Sequence, residues 1–330
     1  MTFSIIIPVY NRPDEIADLL ESLCQQSDKG FETIIVEDGS TVRCIDQVRE
    51  HDNDLDIQYF YKENEGRSIA RNYGMERAKG EYFIFVDSDC ILPPQYIATL
   101  RQQLSGDYTD FFGGPDAAHD SFSDTQKAIN YAMTAFLTTG GIRGGKVQME
   151  KFVPRTFNMG FSRQVYDRVG GFREMFSEDI DMSTRIRNAG FSPRLIRDVY
   201  VYHKRRGNLR KFWRQVHIFG MSRITLQLLY PGSMKAVHWM PALFTLGSAA
   251  LIIASFWLPW TLIPLVLYIL ALWIDAIRKT KSLKIGSKAV IAALIQLYGY
   301  GTGFIRAYIW KILLRHGRDE QQEIELRKGK

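Results

Sequence analysis

At 330 residues and 46% hydrophobic content, the chain is long enough for one large domain with an appendage and apolar enough for a sizeable core. Its three cysteines, Cys24, Cys44 and Cys90, fit neither a disulfide nor a metal spacing, which excludes a disulfide-built scaffold and indicates a reducing compartment. A net charge of +6, from 42 Lys and Arg against 36 Asp and Glu, admits nucleic acid, anionic lipid or a phosphate-bearing substrate as partner.

The apolar run Phe3 to Val9 is short, lacks a basic leader and is interrupted by Pro8, so no signal peptide is expected. The same run, SIIIPV, reads as a buried parallel strand. PDEIADLLESL then puts Ile16, Leu19, Leu20 and Leu23 on one helical face, with Pro13, Asp14 and Glu15 suited to a first turn. A strand in ETIIVED, a helix after Ser40, a strand in IQYFY, a helix around RSIARNYGMERA and a strand in YFIFV follow. Strand and helix alternate with short links, which predicts a doubly wound α/β sheet.

Ligands of such sheets bind beyond the carboxyl ends of the strands. Tyr10 and Asn11, Glu37 and Asp38, and Asp87 and Asp89 fall at those ends. In FIFVDSDC a buried strand runs into two carboxylates separated only by Ser88. Asp87 and Asp89 would repel each other unless a cation sat between them. A hard divalent ion such as Mg²⁺ or Mn²⁺ suits those oxygens, and a nucleotide diphosphate could complete its shell. The competing reading is a solvated loop with two surface acids; the company of the other rim residues favours the metal.

Further along, SEDIDMSTRIRNAGF predicts a helix with Met182, Ile186 and Ala189 on its apolar face, a stop at Gly190, and Glu178 and Asp179 at its amino end. The helix dipole favours acids there even without a function. VYHKRRGNLRKFWRQ follows, and its cations, Arg206 among them, could neutralise a leaving diphosphate or bind lipid headgroups.

Between Lys235 and Asp275 no acidic, Lys or Arg residue occurs, about 40 residues where about 20 span a bilayer. Two transmembrane helices are expected, about Pro241 to Leu258 and Thr261 to Ile274, with Pro259 and Pro264 near the turn and Trp239, Trp257, Trp260 and Trp273 near interfaces. A third apolar segment, Ala289 to Ile305 and extending to about residue 312, is followed by Arg306, Lys311, Arg315 and Arg318. Spanning would send those cations outside, so an interfacial or re-entrant helix is preferred, with a glycine-packed third span as the alternative. The tail after Arg315 is expected to be solvent-exposed.

IIIPVYNR, IIVEDGS, NEGRSIARNYGMERAKGEYFIFVDSD, NMGFSRQVYDRVGGF and SEDIDMSTRIRNAGF stand in this order over roughly Thr2 to Gln215. Together they resemble the family 2 glycosyltransferases. The resemblance implies a GT-A fold, Rossmann-like, over residues 1–230, with a nucleotide-binding half to about 115 and an acceptor half beyond it, followed by a membrane region over 231–330. It also implies roles. Pro8, Tyr10 and Asn11 would form the nucleoside-binding turn, Asp38 would accept a hydrogen bond from the base, and Gly66 and Arg71 would pass under the nucleotide. Asp87 and Asp89 would be the DXD motif that holds ribose and a divalent ion bridging the diphosphate; Glu37 stands where aspartate is more common. Asn158, with Met159 and Gly160, would line the donor-sugar or acceptor pocket. Asp179 would be the base, with Glu178 orienting the acceptor or the loop and Asp181 left as a surface residue. His203 matches a histidine that joins the metal shell in some relatives, although a lone histidine is often structural.

Read from the residues alone, Pro8 can end a strand, Gly66 can serve a turn, Arg71 can be a solvated helix charge and Asp38 can close a turn beside Gly39 and Ser40. The resulting expectation is a membrane-anchored inverting glycosyltransferase. It takes a nucleotide-diphosphate sugar, UDP-linked rather than GDP-linked, with Mg²⁺ or Mn²⁺, and glycosylates a lipid-linked saccharide in cell-surface polysaccharide biosynthesis. Its expected place is the inner membrane, multi-pass, with a cytoplasmic catalytic domain in contact with membrane lipids. A processive synthase and a noncatalytic scaffold that binds nucleotide sugars are the alternatives; Phe212 to Gln215 is the nearest text to the Gln-x-x-Arg-Trp motif of the former. Nucleic acid is not an expected partner, because the basic clusters lack interleaved stacking aromatics and an acidic rim would repel phosphates.

Overall fold

A computed structural model describes residues 1–119, 121–140 and 152–315. In chain order its elements begin β1 (Phe3–Val9), α1 (Pro13–Cys24), β2 (Phe31–Asp38), α2 (Ile45–His51), β3 (Ile57–Lys62), α3 (Arg67–Arg77), β4 (Tyr82–Phe85), β5 (Cys90–Ile91) and α4 (Tyr96–Gly106). They continue with β6 (Phe111–Gly113), β7 (Asp116–Ala117), α5 (Asp124–Thr134), α6 (Phe136–Thr139), β8 (Met159–Ser162), α7 (Arg163–Val169), α8 (Glu178–Asn188), β9 (Arg194–Leu195) and β10 (Val201–His203). Last come α9 (Leu209–Leu229), α10 (Ala236–Ala254), a short 3-10 turn Pro259–Leu262, α11 (Ile263–Thr280), α12 (Leu283–Ala307) and a π-helical turn Tyr308–Leu313.

These elements form two compact units, Met1–Asp120 with Lys151–Lys204, and Ser121–Glu150 with Arg205–Lys330. The division differs from a boundary at residue 230. Helices α5 and α9, expected in the catalytic domain, share an apolar core with α11 and α12, through Ile129, Ala132, Phe212, Val216, Leu272 and Ala293.

The first unit is built on a seven-stranded sheet of order β3-β2-β1-β4-β8-β6-β9. Strands β3, β2, β1 and β4 run parallel, and β8 is antiparallel to β4 and β6. The continuous apolar run of β1 follows from burial on both faces. Ile5 and Ile7 enter one core with Leu19, Leu20 and Leu100, while Ile6 enters the other with Val36, Met75, Phe83 and Met182. In β1, Pro8 lies past Ile6, the last residue in register with β4, so its missing N–H opens no gap in that ladder. A small second sheet, β5-β10-β7, was not legible in the sequence.

In the second unit three helices are long and apolar enough to cross a membrane: Ala236–Ala254, Pro259–Thr280 and Leu283–Leu313. The first begins before Pro241, which sits inside it. The third covers the segment expected to be interfacial or re-entrant, and its length and composition equally suit a span. It is one continuous helix of 31 residues, about 46 Å against a hydrocarbon core of about 30 Å. Its glycines are packing contacts: a Cβ on Gly303 would lie 2.0 Å from the carbonyl oxygen of His217, and one on Gly301 2.4 Å from that of Pro241. The charged tail after Arg315 lies outside the described residues.

Candidate active site

The site assembles at the carboxyl ends of β1, β2 and β4, where the parallel strands stop and their loops turn over the sheet. Behind β1, Asn11 adopts φ 53°, a conformation asparagine tolerates. Its Oδ1 accepts hydrogen bonds from Thr41 N (2.8 Å), Thr41 Oγ1 (2.9 Å) and Val42 N (3.0 Å), tying the first loop to the second. Tyr10 beside it is exposed. Behind β2, Glu37 is fully buried, and its carboxylate accepts from the backbone N–H of Cys44 and from the hydroxyl of Tyr59. The departure at Glu37 is thereby explained, since its extra methylene reaches the α2 cap. Asp38 accepts from Lys62 Nζ (2.9 Å), Glu65 N (3.0 Å) and Gly66 N (2.8 Å). Gly66 itself has φ 96°, open to glycine and strained for other residues.

The repulsion between Asp87 and Asp89 is relieved by arginines. Arg71, 1% exposed at its side chain, donates to Asp87 Oδ1 at 2.6 Å and to Glu178 Oε1 at 3.0 Å. Arg12 donates to Asp89 Oδ2 at 3.3 Å. Arg71 is therefore neither a solvated helix charge nor open to solvent; it joins two acids. Arg67 adds a second guanidinium, 2.7 Å from each oxygen of Glu178.

The metal question turns on Asp89. Its Oδ1 lies 3.1 Å from His203 Nε2, and the other face of the imidazole points to Asp116, with Nδ1 3.9 Å from Oδ2. Two cis ligands of an octahedral ion with bonds of about 2.1 Å stand about 3 Å apart, so Asp89 and His203 fit a hard divalent ion. Among the described residues, the ligand atoms that converge are those of Asp89, Cys90 and His203. Cys90 is a poor third ligand: burial pushes its thiol up, and it donates to Phe157 O at 3.6 Å. Asp87 is not in this group, and its carboxylate is paired with Arg71 instead.

At the start of α8, Ser177 adopts φ 65° and sets Glu178 and Asp179 in the first turn. Asp179 is partly accessible, with Oδ2 3.3 Å from Arg155 Nη1 and Oδ1 accepting from Ile180 N. Glu178 is buried and held by Arg67 and Arg71. Asp181, expected at the surface, is fully buried between Arg173 (3.1 Å) and Arg185 (2.9 Å). Asn158 also departs from expectation. It is fully buried, with its amide donating to Val199 O and Pro115 O and its Oδ1 accepting from Tyr96, so it braces the sheet. Arg206 falls in the second unit, just beyond β10, and is half-buried.

Three partners were missed: Arg12, Arg67 and Arg155. Arg12 directly follows the quoted turn and Arg155 lies three residues before Asn158, but nothing in local spacing pairs them with acids far along the chain.

A family model described as glycosyl transferase family 2 matches residues 4–170, just over half of the chain. The chain belongs to this family. An uncharacterized glycosyltransferase of Rickettsia bellii is 43% identical over 86 residues, which cover 26% of this chain and 12% of that protein. The chain thus spans a minor part of that curated relative. The mannosyltransferase PcManGT from Pyrobaculum calidifontis, solved in complex with GDP-Man and Mn²⁺, superposes with a TM-score of 0.58 at 19% identity, covering 90% of this chain and 87% of the other. TarS 1-349 of S. aureus in complex with UDP-GlcNAc gives 0.50 at 18%, covering 92% and 91%. At such identities the likeness concerns the fold, which is of the GT-A kind.

Proposed function

We propose that the chain transfers a sugar from a nucleotide-diphosphate donor, UDP-linked in preference to GDP-linked, to a hydroxyl of a lipid-linked saccharide, with inversion at the anomeric carbon. The observation that carries the reading is the pairing of Asp89 with His203 at the carboxyl end of β4, on the rim that also carries Asp38 and Asp87. Asp89 and His203 would hold a divalent ion, Mg²⁺ or Mn²⁺, which when bound supplies positive charge to the diphosphate. The family membership and the nucleotide-sugar complexes of PcManGT and TarS support the donor class.

Asp179 is the carboxylate placed to take the proton from the acceptor hydroxyl, because it is the partly accessible acid at the start of α8. Arg155 keeps that carboxylate oriented, and the buried grip of Arg67 and Arg71 on Glu178 fixes the turn that presents it. A single carboxylate base and one displacement give inversion. The three apolar helices support a membrane-embedded acceptor, and thereby a multi-pass protein of the inner membrane with its catalytic unit on the cytoplasmic side, serving cell-surface polysaccharide assembly.

The test is release of nucleoside diphosphate from a panel of UDP- and GDP-sugars by the detergent-solubilised chain, with Mn²⁺ or with EDTA. Metal-dependent turnover of one donor, lost in both Asp179→Asn and Asp89→Asn, is the expected result. Donor binding without turnover against every lipid-linked acceptor tried would overturn it in favour of a scaffold.

A further inference from the structure

Asp89 has two nitrogen-bearing neighbours of different kinds. On one side stands His203, a ligand type; on the other stands the guanidinium of Arg12, 3.3 Å from Oδ2. Arg12 is not locked in place. A third of its side chain is exposed, and Glu15, one helical turn on, already pairs with the same Nη1 more closely than Asp89 does. The contrast with Arg71 is physical. Arg71 is 1% exposed between two acids and cannot leave without stranding buried charge, whereas Arg12 can release Asp89 while remaining paired with Glu15 and partly solvated. A guanidinium and a divalent ion compete for the same carboxylate lone pairs, and Arg is also the side chain suited to forked recognition of phosphate oxygens.

We propose that Arg12 is a built-in cation that competes with the divalent ion for Asp89, and that its displacement by the ion frees its guanidinium for the donor diphosphate. The inference rests on the reading of Asp89 and His203 as the metal-holding pair. Arg12 lies at the carboxyl end of β1, on the rim where that diphosphate would lie. Metal and donor would then bind in an ordered way, because the ion creates one of the contacts that the diphosphate uses.

The experiment compares wild type, Arg12→Met, Arg12→Lys and Asp89→Asn in the full-length solubilised chain. Free Mn²⁺ is followed by electron paramagnetic resonance, and UDP and GDP binding at saturating Mn²⁺ by calorimetry. Without nucleotide, Arg12→Met binds Mn²⁺ more tightly, by up to about fivefold, the range open to a partly exposed ion pair. With Mn²⁺ saturating, the same variant binds the nucleoside diphosphate more weakly, and Arg12→Lys falls between it and wild type on both readouts. Mn²⁺ affinity unchanged in Arg12→Met overturns the proposal, and so does nucleotide affinity unchanged when metal is saturating. Mn²⁺ binding that survives Asp89→Asn at wild-type strength overturns the metal-holding pair itself, a failure distinguishable from that of Arg12 alone.

Discussion

Arg71 and Glu178, 107 residues apart in sequence, meet at 3.0 Å with side chains 1% and 2% exposed. Through that contact α3, which begins behind Gly66, is tied to the first turn of α8, which presents Asp179. Removing one partner leaves buried charge uncompensated. Glu178→Gln is expected to lose about 3 kcal/mol, the low end for a broken buried pair because Arg71 retains Asp87. Thermal unfolding of the solubilised protein checks it; a loss below about 1 kcal/mol would show that the pair does not anchor α8.

The same geometry separates binding from chemistry. Asp179→Asn leaves the donor rim untouched, since Asp179 contacts Arg155 and its own helix but none of the acids at β4. Turnover is expected to fall by about 10² to 10⁴, the usual contribution of a positioned general base, with donor affinity held within about twofold of wild type. Turnover within tenfold of wild type would remove Asp179 from the mechanism.

A pH prediction comes from Asp28, whose carboxyl is held below the usual range by its hydrogen bonds from Arg101 at 2.5 and 3.3 Å. A depressed folded value means stability present at neutral pH and lost as pH falls through that lowered value. Asp28 is partly exposed, so the contribution is under about 1 kcal/mol. Asp28→Asn should lower the unfolding temperature at neutral pH and converge with wild type in acid. A gap that stays constant into acid would assign the effect to packing.

How much of this was legible in the sequence depends on the range of the physics involved. The strands and helices from β1 to β4 follow from local periodicity, and Ile16, Leu19, Leu20 and Leu23 are all fully buried as their spacing implied. The three-residue or shorter strands β5, β7 and β10 carry no periodic signal and exist only because their chains meet. Carboxylates were legible as acids at strand ends; their partners were not. Arg12 reaches Asp89 across 77 residues and Arg67 reaches Glu178 across 111, pairings that only the folded topology creates. Asp181 shows the converse, because a helix acid looks solvated until Arg173 and Arg185 are seen to bury it.

Two glycine substitutions in the apolar helices test the packing of the second unit with opposite signs. Gly303 of α12 lies so close to α9 that an added Cβ would stand 2.0 Å from His217 O and 2.9 Å from His217 C, both backbone atoms that cannot turn aside. Gly303→Ala must therefore push the two helices apart, at about 1–3 kcal/mol. Gly247, inside α10, has nothing within 4 Å of the same added atom. There the change meets open space, and alanine's better helix propensity makes Gly247→Ala neutral or stabilising by up to about 1 kcal/mol. Unfolding temperatures measured side by side in one detergent decide it. If Gly303→Ala is as benign as Gly247→Ala, α9 and α12 do not pack through their glycines, and the long third helix loses the contact that accounts for its glycine-rich stretch.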